Sequence, residues 1–516
     1  MRRLFLAVSL LALASCATTS QPETKPESAP APQAEAPKAE APKAEAPKAE
    51  DAEAFRAKMP APGKAPELVL PVFEQVKLDN GLTVLVNARH ELPLVFLGVA
   101  FAEGGSQDPA SQGGLADLTY KMLLEGAGGK DTIALDNAFA DLGVSPSVTV
   151  SPDGAVVGVR VLTRNADKAL ALLSDVARRP TFAQKDFDRR KKQQLADLVR
   201  RLGTPSFLAN QAYLQAVFGA SHPYGHPVSG TPATVDKITL QDAKRFYQKN
   251  VGPKTAALVV VGDVTKEQAV AWAKKYFGDW KGEAMPAPPP PAPPAPPRDS
   301  LFVVYKPGLE QSYIMVGRPG ISANHPDQEA LELATTVFGG FFGSRLNMNL
   351  REAKGYTYGA GASSDPRLGV GPLTAYSQVR ADVTGPALGE FIHELNDIKT
   401  RPITSKELEA AREGLIRSYP GIFETVEWVG ANAATLFFKR LPMDEFAHQI
   451  AGLEKATPAE VQRVAEAYFN PSSMQIIVVG DPDILQKQVG TLNLGKLIAV
   501  DVAGAGTPAP SKAEKK

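Results

Sequence analysis

Between residues 76 and 201, apolar positions recur with two different periods. Two β-favouring runs flank the turn pair Asn80-Gly81, which predicts a hairpin over residues 76–86. Other β-favouring runs predict strands at residues 94–101, at Val148 and at residues 156–162. Apolar residues on one face predict a helix over residues 114–125, and further helices are predicted over 133–142 and 166–178. Residues 187–201, rich in Lys and Arg, are predicted to form a long polar helix.

The same mixture of elements returns in the second half of the chain. Strands are predicted over residues 301–305 and 313–316, and a helix is predicted over residues 328–338. Strands that alternate with amphipathic helices are typical of a layered arrangement. The predicted fold class is therefore α+β, with an antiparallel sheet and helices on one of its faces in each half.

Two segments indicate that the halves are copies of one another. TLQDAKRF at residues 239–246 precedes a strand that ends at residues 262–263, and TPAEVQRV at residues 457–464 precedes one that ends at residues 480–481. Each segment begins with a Thr followed three residues later by an acid, which is the signature of a capping box. The offset is about 218 residues for both the helix and the strand, which predicts an internal duplication.

Low-complexity segments divide the chain. Residues 20–64 are mostly Pro, Ala, Glu and Lys, which predicts an extended, solvated tether. Residues 283–297 are rich in Pro, which predicts a semi-rigid hinge. The predicted domains are an amino-terminal processing signal at 1–15, a segment with the tether at 16–64, an N-terminal domain at 65–282, a polyproline linker at 283–298, a C-terminal domain at 299–502 and a disordered tail at 503–516.

The amino terminus has the layout of a processing signal. Arg2 and Arg3 precede an apolar run over residues 4–14, which is too short for a permanent membrane span. Cys16 is the only cysteine, so it has no disulfide partner in the chain. The segment LASC resembles a bacterial lipobox, which implies lipid attachment at Cys16. Together with the uncharged Ala17, it implies a lipid anchor in the cell envelope, at the outer membrane facing the periplasm. An ordinary signal peptide with an incidental cysteine is the alternative.

The length and charge of the chain limit its class. A chain of 516 residues is too long for one core, so several domains are expected. It carries 56 basic and 56 acidic residues and no net charge. Because nucleic acids bind proteins largely through an excess of basic residues, no nucleic-acid partner is expected.

Four segments, taken in order, carry a family resemblance. They are KLDNGLTVLV at 77–86, PLVFLGVAFAEGGSQDP at 93–109, HPYGHPVSGT at 222–231 and GGFFGSRLNMNLREAKGYTYG at 339–359. This series resembles the M16 metallopeptidases, the pitrilysin and mitochondrial processing peptidase-like family. The resemblance covers residues 72–490 and implies two duplicated LuxS/MPP-like metallohydrolase domains.

The zinc motif of that family is degenerate in this chain. The family places His, Glu and His on one helix face and takes a distal Glu as a further zinc ligand. The matching positions hold Asp117, Tyr120, Lys121 and Asp197. A charged Lys has three donors and no lone pair, so it would repel Zn²⁺. We expect Lys121 to replace the zinc charge and to pair with one or both aspartates. The alternative is that all three point into a wet cleft without a role.

The second half keeps a different part of the family's machinery. In the two-subunit branch of the family, the subunit without zinc supplies an Arg and a Tyr that hydrogen-bond the substrate carbonyl. Arg351 and Tyr358 have that spacing of seven residues here. Both side chains offer hydrogen-bond donors for an oxygen that gains negative charge. The alternatives are a structural salt bridge for Arg351 and a core or interface aromatic for Tyr358, and Tyr356 is a second candidate tyrosine.

Three other groups of residues are weaker candidates. His222 and His226 are separated by Pro223 and Gly225, so a helical zinc face is not expected. A lone His with two acids fits a solvated helix face, and this is the expectation for His393, Glu394 and Asp397. The glycines at residues 339, 340 and 343 lack the ending of a phosphate loop and more readily permit close helix–strand packing.

These observations favour one function and leave two others open. The resemblance implies the metal-free subunit of a heteromeric M16B-type zinc endopeptidase, with no cofactor in this chain and Zn²⁺ in an H-x-x-E-H-bearing partner. An extended peptide substrate would add to a sheet edge, which the resemblance places near residues 101–105. The first alternative is a catalytically inactive peptide-binding or scaffold lipoprotein. The second is a self-sufficient metalloendopeptidase with atypical ligands.

Overall fold

The computed structural model describes residues 68–296, 300–490, 492 and 494–501. The predicted signal peptide, Cys16, the tether at 20–64 and the tail at 503–516 lie outside the described residues. None of the helices within the described ranges combines the length and the apolar character needed to cross a bilayer.

Strands and helices alternate through both halves. The N-terminal half contains β1 (Glu74–Lys77), β2 (Thr83–Ala88), β3 (Leu94–Phe101), α1 (Leu115–Met122), α2 (Thr132–Ala140), β4 (Ser147–Val150), β5 (Ala155–Leu162), α3 (Ala166–Arg178), α4 (Gln184–Arg201), α5 (Pro205–Phe218), α6 (Pro232–Val235), α7 (Leu240–Asn250), β6 (Ala256–Gly262) and α8 (Lys266–Phe277). The C-terminal half contains β7 (Ser300–Tyr305), β8 (Gln311–Pro319), α9 (Gln328–Thr335), α10 (Arg345–Asn347), β9 (Thr357–Ser364), β10 (Pro372–Arg380), α11 (Thr384–Thr400), α12 (Ser405–Ile422), α13 (Val426–Lys439), α14 (Glu445–Lys455), α15 (Pro458–Tyr468), β11 (Gln475–Gly480), α16 (Pro482–Gln488) and β12 (Lys496–Ala499). The elements predicted from periodicity all recur with small shifts at their ends.

The two sheets confirm the predicted duplication. The first has the strand order β1-β2-β6-β3-β5-β4, and the second has the order β12-β7-β11-β8-β10-β9. Five neighbouring strands therefore correspond in order, from β2 with β7 to β4 with β9. Only the outermost strand differs, because β1 runs antiparallel to β2 whereas β12 runs parallel to β7.

The α+β class is confirmed, but the sheets are mixed rather than wholly antiparallel. β2 pairs in parallel with β6, and β7 pairs in parallel with β11. Each of these pairs joins a strand near the start of a repeat to a long strand near its end. The long connection between them contains several helices, which gives the chain the length that a parallel pairing requires.

The two halves exchange one helix, so each sheet is covered on both faces. Helix α5 of the N-terminal half packs on the second sheet, where Tyr213 and Phe218 share a buried cluster with Met315 and Ile477. Helix α13 of the C-terminal half packs on β3 and β6 of the first sheet. Apart from the exchanged helix, the helices of each repeat pack on one face of its sheet, as predicted. The cover on the second face comes from the other half and cannot be read from either half alone.

Local sequence signals set the element boundaries. The predicted capping boxes are present at Thr239 and Thr457, whose hydroxyl oxygens accept from backbone N–H groups three residues on. Gly81 adopts φ +93 in the hairpin turn between β1 and β2, a conformation that glycine tolerates better than other residues.

The proline-rich linker is bound to the body of the protein. Over residues 283–296 it is extended, without helix or strand. The Ala287 N–H donates to Oε1 of Glu103 at 2.7 Å, and the Pro291 carbonyl lies 3.0 Å from Nε2 of His222. Arg440 of the C-terminal half donates to the Ala287 carbonyl. Because both halves hold it, this segment is a strap across them, which the semi-rigid hinge predicted from its composition did not anticipate.

Candidate functional site

Helix α1, which carries the degenerate zinc motif, is fixed at its start by a buried acid. Asp108 accepts the backbone N–H groups of Gly114 at 2.8 Å and Ala116 at 2.7 Å. It thereby replaces the N-cap side chain that Gly114 lacks. Burial raises the pKa of Asp108 well above its usual value. This role was not predicted, because Asp108 lies six residues outside the helix-start pattern.

Tyr120, at the position of the Glu in the family's zinc motif, belongs to the core. Its ring is fully buried, stacks on Phe101 with ring centroids 5.2 Å apart, and meets Phe246 edge-on at 5.9 Å. Its hydroxyl donates to the Glu103 carbonyl at 2.6 Å. Burial raises the pKa of the Tyr120 hydroxyl well above its usual value. The side chain is therefore held in the protonated form and away from any cleft.

Of the two aspartates weighed as partners for Lys121, the structure brings one to it. Lys121 Nζ donates to Oδ2 of Asp117 at 2.7 Å, one turn apart on α1. Burial, the largest influence, raises the pKa of Asp117, and Lys121 opposes that rise. Asp197 is 61% exposed on α4 and pairs with Arg200 at 2.9 Å instead.

These positions do not fit a zinc ion. A catalytic zinc site needs three lone-pair ligands and one open position. Here the two His positions hold an ammonium and the carboxylate that it neutralises, and Asp197 pairs elsewhere. Within the described ranges, no group of three or more His, Cys, Asp or Glu side chains is arranged to hold a metal ion.

A buried ion pair that sequence reasoning missed joins α1 to α4. Glu125, just after α1, has a side chain with no exposed surface and pairs with Arg189 and Arg190 of α4. The two adjacent arginines on a polar helix were the only available signal. Their pairing with Glu125 fixes α4 against the end of α1.

Arg351 lies on an irregular, exposed turn of the C-terminal half. The turn, Met348–Ala353, is π-helical. The Arg351 side chain is 41% exposed, its Nε lies 3.2 Å from Oε1 of the neighbouring Glu352, and its guanidinium carbon lies 4.8 Å above the Phe342 ring. An exposed pair with an adjacent residue contributes little to stability. The guanidinium therefore remains accessible to a ligand.

The structural salt bridge of this segment is made by a different arginine. Arg345 on α10 is 4% exposed and donates to Glu407 of α12 through Nε at 2.7 Å and Nη2 at 3.0 Å. Its remaining donors reach the carbonyls of Arg401 and Pro402, both at 3.2 Å. This network holds the start of the segment that ends in Arg351.

The two candidate tyrosines differ in exposure. Tyr358 is 88% exposed on β9, beside a bulge in the pairing of β9 with β10. Tyr356 is half-buried and packs against the C-terminal core. The interpretation of Tyr358 as a core aromatic was therefore wrong, and Tyr358 is the one of the two whose side chain is open to solvent.

The sheet edge near residues 101–105 was wrongly placed. Phe101 ends β3, which lies between β5 and β6 and so has neighbours on both sides. Among the described strands, β4 and β9 are the corresponding edge strands of the two sheets, at the ends opposite β1 and β12. Helix α1 packs beside β4, and Tyr358 lies on β9.

The weaker candidate residues make packing and hydrogen-bond contacts within the fold. The ring of His222 binds the strap and stacks on Phe218 at 5.3 Å, and burial lowers the pKa of His226. The face that carries Glu394 is not solvated as expected, because Glu394 is buried and accepts from Asn349 at 2.6 Å. At Gly339 a Cβ would lie 2.6 Å from the Ala362 nitrogen, so this glycine permits close packing against β9.

Two sequence comparisons agree with this geometry. Residues 83–209 match the family described as Insulinase (Peptidase family M16), and residues 237–415 match the Peptidase M16 inactive domain. Two repeated α+β domains of this type define a protein with the M16 peptidase fold. Its first helix lacks the zinc ligands. The chain belongs to peptidase family M16.

Relatives extend over most of the chain at low identity. A protein of Rickettsia bellii described as an uncharacterized zinc protease is 24% identical over 415 residues, covering 79% of this chain and 97% of the relative. The Helicobacter pylori protein described as the non-peptidase homolog YmxG is 24% identical over 400 residues, covering 77% of this chain and 91% of the relative.

Solved structures share the arrangement. A crystal structure described as a peptidase M16 inactive domain from Pseudomonas fluorescens superposes with a TM-score of 0.74 at 27% identity, covering 79% of this chain and 98% of the other. A protease from Helicobacter pylori gives a TM-score of 0.72 at 20% identity, covering 80% and 100%. The second likeness concerns the fold alone.

Proposed function

We propose that this protein is the metal-free subunit of a heteromeric M16 zinc endopeptidase. In this proposal, it helps to bind an extended peptide and supplies Arg351 and Tyr358 to a reaction whose Zn²⁺, zinc ligands and general base belong to an H-x-x-E-H-bearing partner. The observation that carries the proposal is the contrast within one chain. The helix that would bind zinc is closed by Tyr120 and the Lys121–Asp117 pair, whereas both donor residues are exposed.

The chemistry of the donor pair supports a role in transition-state stabilisation. The partner's metal would supply the activated water and polarise the scissile carbonyl. As that carbonyl becomes tetrahedral, its oxygen gains negative charge, which a guanidinium and a phenolic O–H stabilise more in the transition state than in the ground state.

The surroundings of Arg351 support contact with a second protein. Three large apolar side chains near it in sequence are exposed, namely Phe341, Phe342 and Met348. Apolar and aromatic side chains around an accessible Arg are the usual composition of a protein–protein contact. In this proposal they face the zinc-bearing subunit, so that Arg351 and Tyr358 are presented across the interface.

Two further parts of the proposal concern substrate and location. An extended peptide would pair with a free sheet edge, because main-chain pairing tolerates many sequences. Lipid at Cys16 would hold the protein at the outer membrane of a bacterial cell, facing the periplasm, with the segment at 20–64 as a spacer.

A catalytically inactive peptide-binding or scaffold protein is the second candidate. It is favoured by the similarity to a Helicobacter pylori protein named as a non-peptidase homolog and to a Pseudomonas fluorescens structure named as an inactive domain. In that case the exposure of Arg351 has no catalytic meaning. A self-sufficient metalloendopeptidase is disfavoured, because the described residues do not assemble three metal ligands.

The experiment is to mix this protein with the zinc-bearing M16 protein of the same cell and to measure peptide turnover. We expect Arg351→Ala and Tyr358→Phe each to lower kcat by about 100-fold, the usual effect of removing one oxyanion donor. The matched controls are Arg417→Ala, an exposed helix arginine, and Tyr376→Phe on the neighbouring strand β10.

The controls should keep wild-type turnover. Equal turnover for all four variants would exclude the donor role and favour the scaffold candidate. Stoichiometric zinc in the isolated protein, with chelator-sensitive hydrolysis, would favour the self-sufficient enzyme.

A further inference from the structure

A cavity lies on the face of the first sheet that is covered by α13. Its volume is about 460 Å³, and it lies between the sheet, α13 and the loop that follows β9. Its walls are mostly apolar: Phe96 and Val156 come from the sheet, and Trp428 and Phe438 come from α13. A volume of this size falls within the range of about 300–1,000 Å³ that is typical of ligand pockets.

The edge strand β4 forms one side of the cavity mouth. Ser147, Thr149 and Ser151 line the cavity, whereas Val148 and Val150 pack against the N-terminal core on the opposite face. This alternation follows from the two-residue period of a strand. On its outer side, β4 has no neighbouring strand among the described residues.

We propose that this cavity receives one large apolar side chain of an extended peptide that pairs with β4. The inference rests on the proposed peptide-binding function and specifies its substrate class. A strand added beside β4 must place every second side chain on the face of Ser147 and Thr149, because paired residues of neighbouring strands share a face. One of those side chains then lies over the cavity mouth.

The three acids around the mouth already have partners. Asp365 accepts from Arg367 at 2.9 Å, and Glu427 accepts from Arg160 at 2.9 Å. Asp153 accepts from the Leu368 N–H at 2.9 Å and from the hydroxyl of Tyr224.

Lys439 also lines the cavity and lies in the field of the same acids. Burial lowers its pKa, while Asp365 and Asp153 oppose that change. Because positive and negative groups around the mouth balance, the apolar walls determine what enters. A Phe, Leu or Met side chain fits those walls, whereas a charged one would lose much of its hydration on entering them.

The main wall of the cavity is formed in advance. The Phe96 ring lies between two glycines: a Cβ at Gly158 would come within 2.7 Å of the ring, and one at Gly430 within 2.3 Å. Only glycine leaves room for the ring at these two positions. The ring is therefore fixed before any ligand arrives, which reduces the entropic cost of binding.

The experiment uses the full-length protein and a matched set of labelled decapeptides, blocked at both ends. The set is rich in Thr and Ser and differs at one central position, which holds Phe, Leu, Ala or Asp. We expect the Phe and Leu peptides to bind at least about tenfold more tightly than the Ala peptide in fluorescence anisotropy, because they bury more apolar surface. The Asp peptide should bind most weakly.

Two variants test the location. Ala431→Phe fills the cavity from α13 and should abolish the preference for Phe over Ala, whereas Ala410→Phe, the same change at an exposed position of α12, should retain it. A photoreactive benzoyl-phenylalanine at the central position should label Trp428 or Phe438 in the wild-type protein. This labelling does not depend on any variant being folded.

The outcomes separate the two proposals. Equal affinity of the Phe and Ala peptides, or labelling at β9 instead of the cavity, would overturn the side-chain pocket and leave peptide binding intact. Failure of every peptide to bind would overturn the peptide-binding part of the proposed function and the pocket with it.

Discussion

The two halves secure their candidate sites with buried ion pairs of opposite sign. In the N-terminal half a buried acid, Glu125, is held by Arg189 and Arg190. In the C-terminal half a buried base, Arg345, is held by Glu407. Both pairs fix a helical segment, yet the segments differ in what they expose.

This difference shows that fixing a helical segment by a buried ion pair does not determine whether its candidate residues are exposed. The segment beside Glu125 is a regular helix in which Tyr120 is buried and Lys121 is paired with Asp117. The segment beside Arg345 continues into a π-helical turn that leaves Arg351 accessible. Irregular turns of this kind are frequent at functional sites, because they alter the direction of one side chain without disturbing the rest. An equally firm anchor therefore supports a closed site in one half and an open one in the other.

The largest expected effect concerns the N-terminal anchor. Glu125→Ala should lower the free energy of unfolding by about 3 kcal/mol, because it leaves two arginines without their shared buried partner. We place it at the lower end of the usual range because both guanidinium groups are partly exposed. Urea unfolding of the wild type and the variant measures the difference.

The matched control for Glu125 is Asp197→Ala on α4. Its exposed pair with Arg200 should contribute less than about 1 kcal/mol. If both substitutions cost the same, Glu125 is not an anchor and the comparison of the two halves fails.

The C-terminal anchor should make stability depend on pH. Burial raises the pKa of Glu407, but hydrogen bonds from Arg345 and Thr404 outweigh it and lower the pKa from 4.5 to about 2. Because the folded-state pKa is lower than the unfolded value, this stabilisation is present above the unfolded pKa and is lost as the pH falls towards about 2. Allowing for solvent screening, Glu407→Gln should cost about 1–2 kcal/mol at neutral pH.

Unfolding free energies measured between neutral pH and the acid range test this prediction. The difference between wild type and Glu407→Gln should shrink as the pH falls below the unfolded pKa. Glu413→Gln, an exposed glutamate on the same helix, should show little difference at any pH. A difference for Glu407 that does not change with pH would mean that the ion pair is not its source.

The smallest expected effect concerns the Lys121–Asp117 pair. Burial raises the pKa of Asp117, so this group destabilises the fold increasingly as the pH rises through its folded-state pKa. Removing the ammonium by Lys121→Ala should raise that pKa further and cost about 1 kcal/mol at neutral pH.

The cost of Lys121→Ala should vanish in acid, where Asp117 is protonated in both states. Lys192→Ala, at an exposed position on α4, serves as the control and should have no such pH dependence. If Lys121→Ala has no effect at neutral pH, the pair does not compensate the buried carboxylate.

Sequence reasoning recovered the features that depend on local patterns. The Asn80-Gly81 hairpin and the capping boxes at Thr239 and Thr457 follow from short-range signals. The duplication was predicted because one such signal recurs at a fixed offset, and the two sheets confirm it. It failed where distant segments meet. Asp108 caps α1 from outside the helix, and nothing in its neighbourhood shows this.

The same limit explains what sequence reasoning left open at the candidate site. Arg345 and Arg351 lie in one motif, and their spacing does not tell which of them is buried. Only the position of Glu407 on α12 decides that Arg345 is structural. Likewise, the exchange of α5 and α13 depends on how the repeats dock, which the amphipathic pattern of a single helix does not specify.

Because the two repeats exchange helices, neither can be separated from the other without exposing one face of its sheet. A repeat expressed by itself would lose the helix that covers one face of its sheet, and the apolar residues beneath α13, including Phe96 and Val259, would be open to water. Such a fragment would aggregate or capture the complementary fragment. A gene that splits between the repeats could therefore yield a folded protein only if both products were made together.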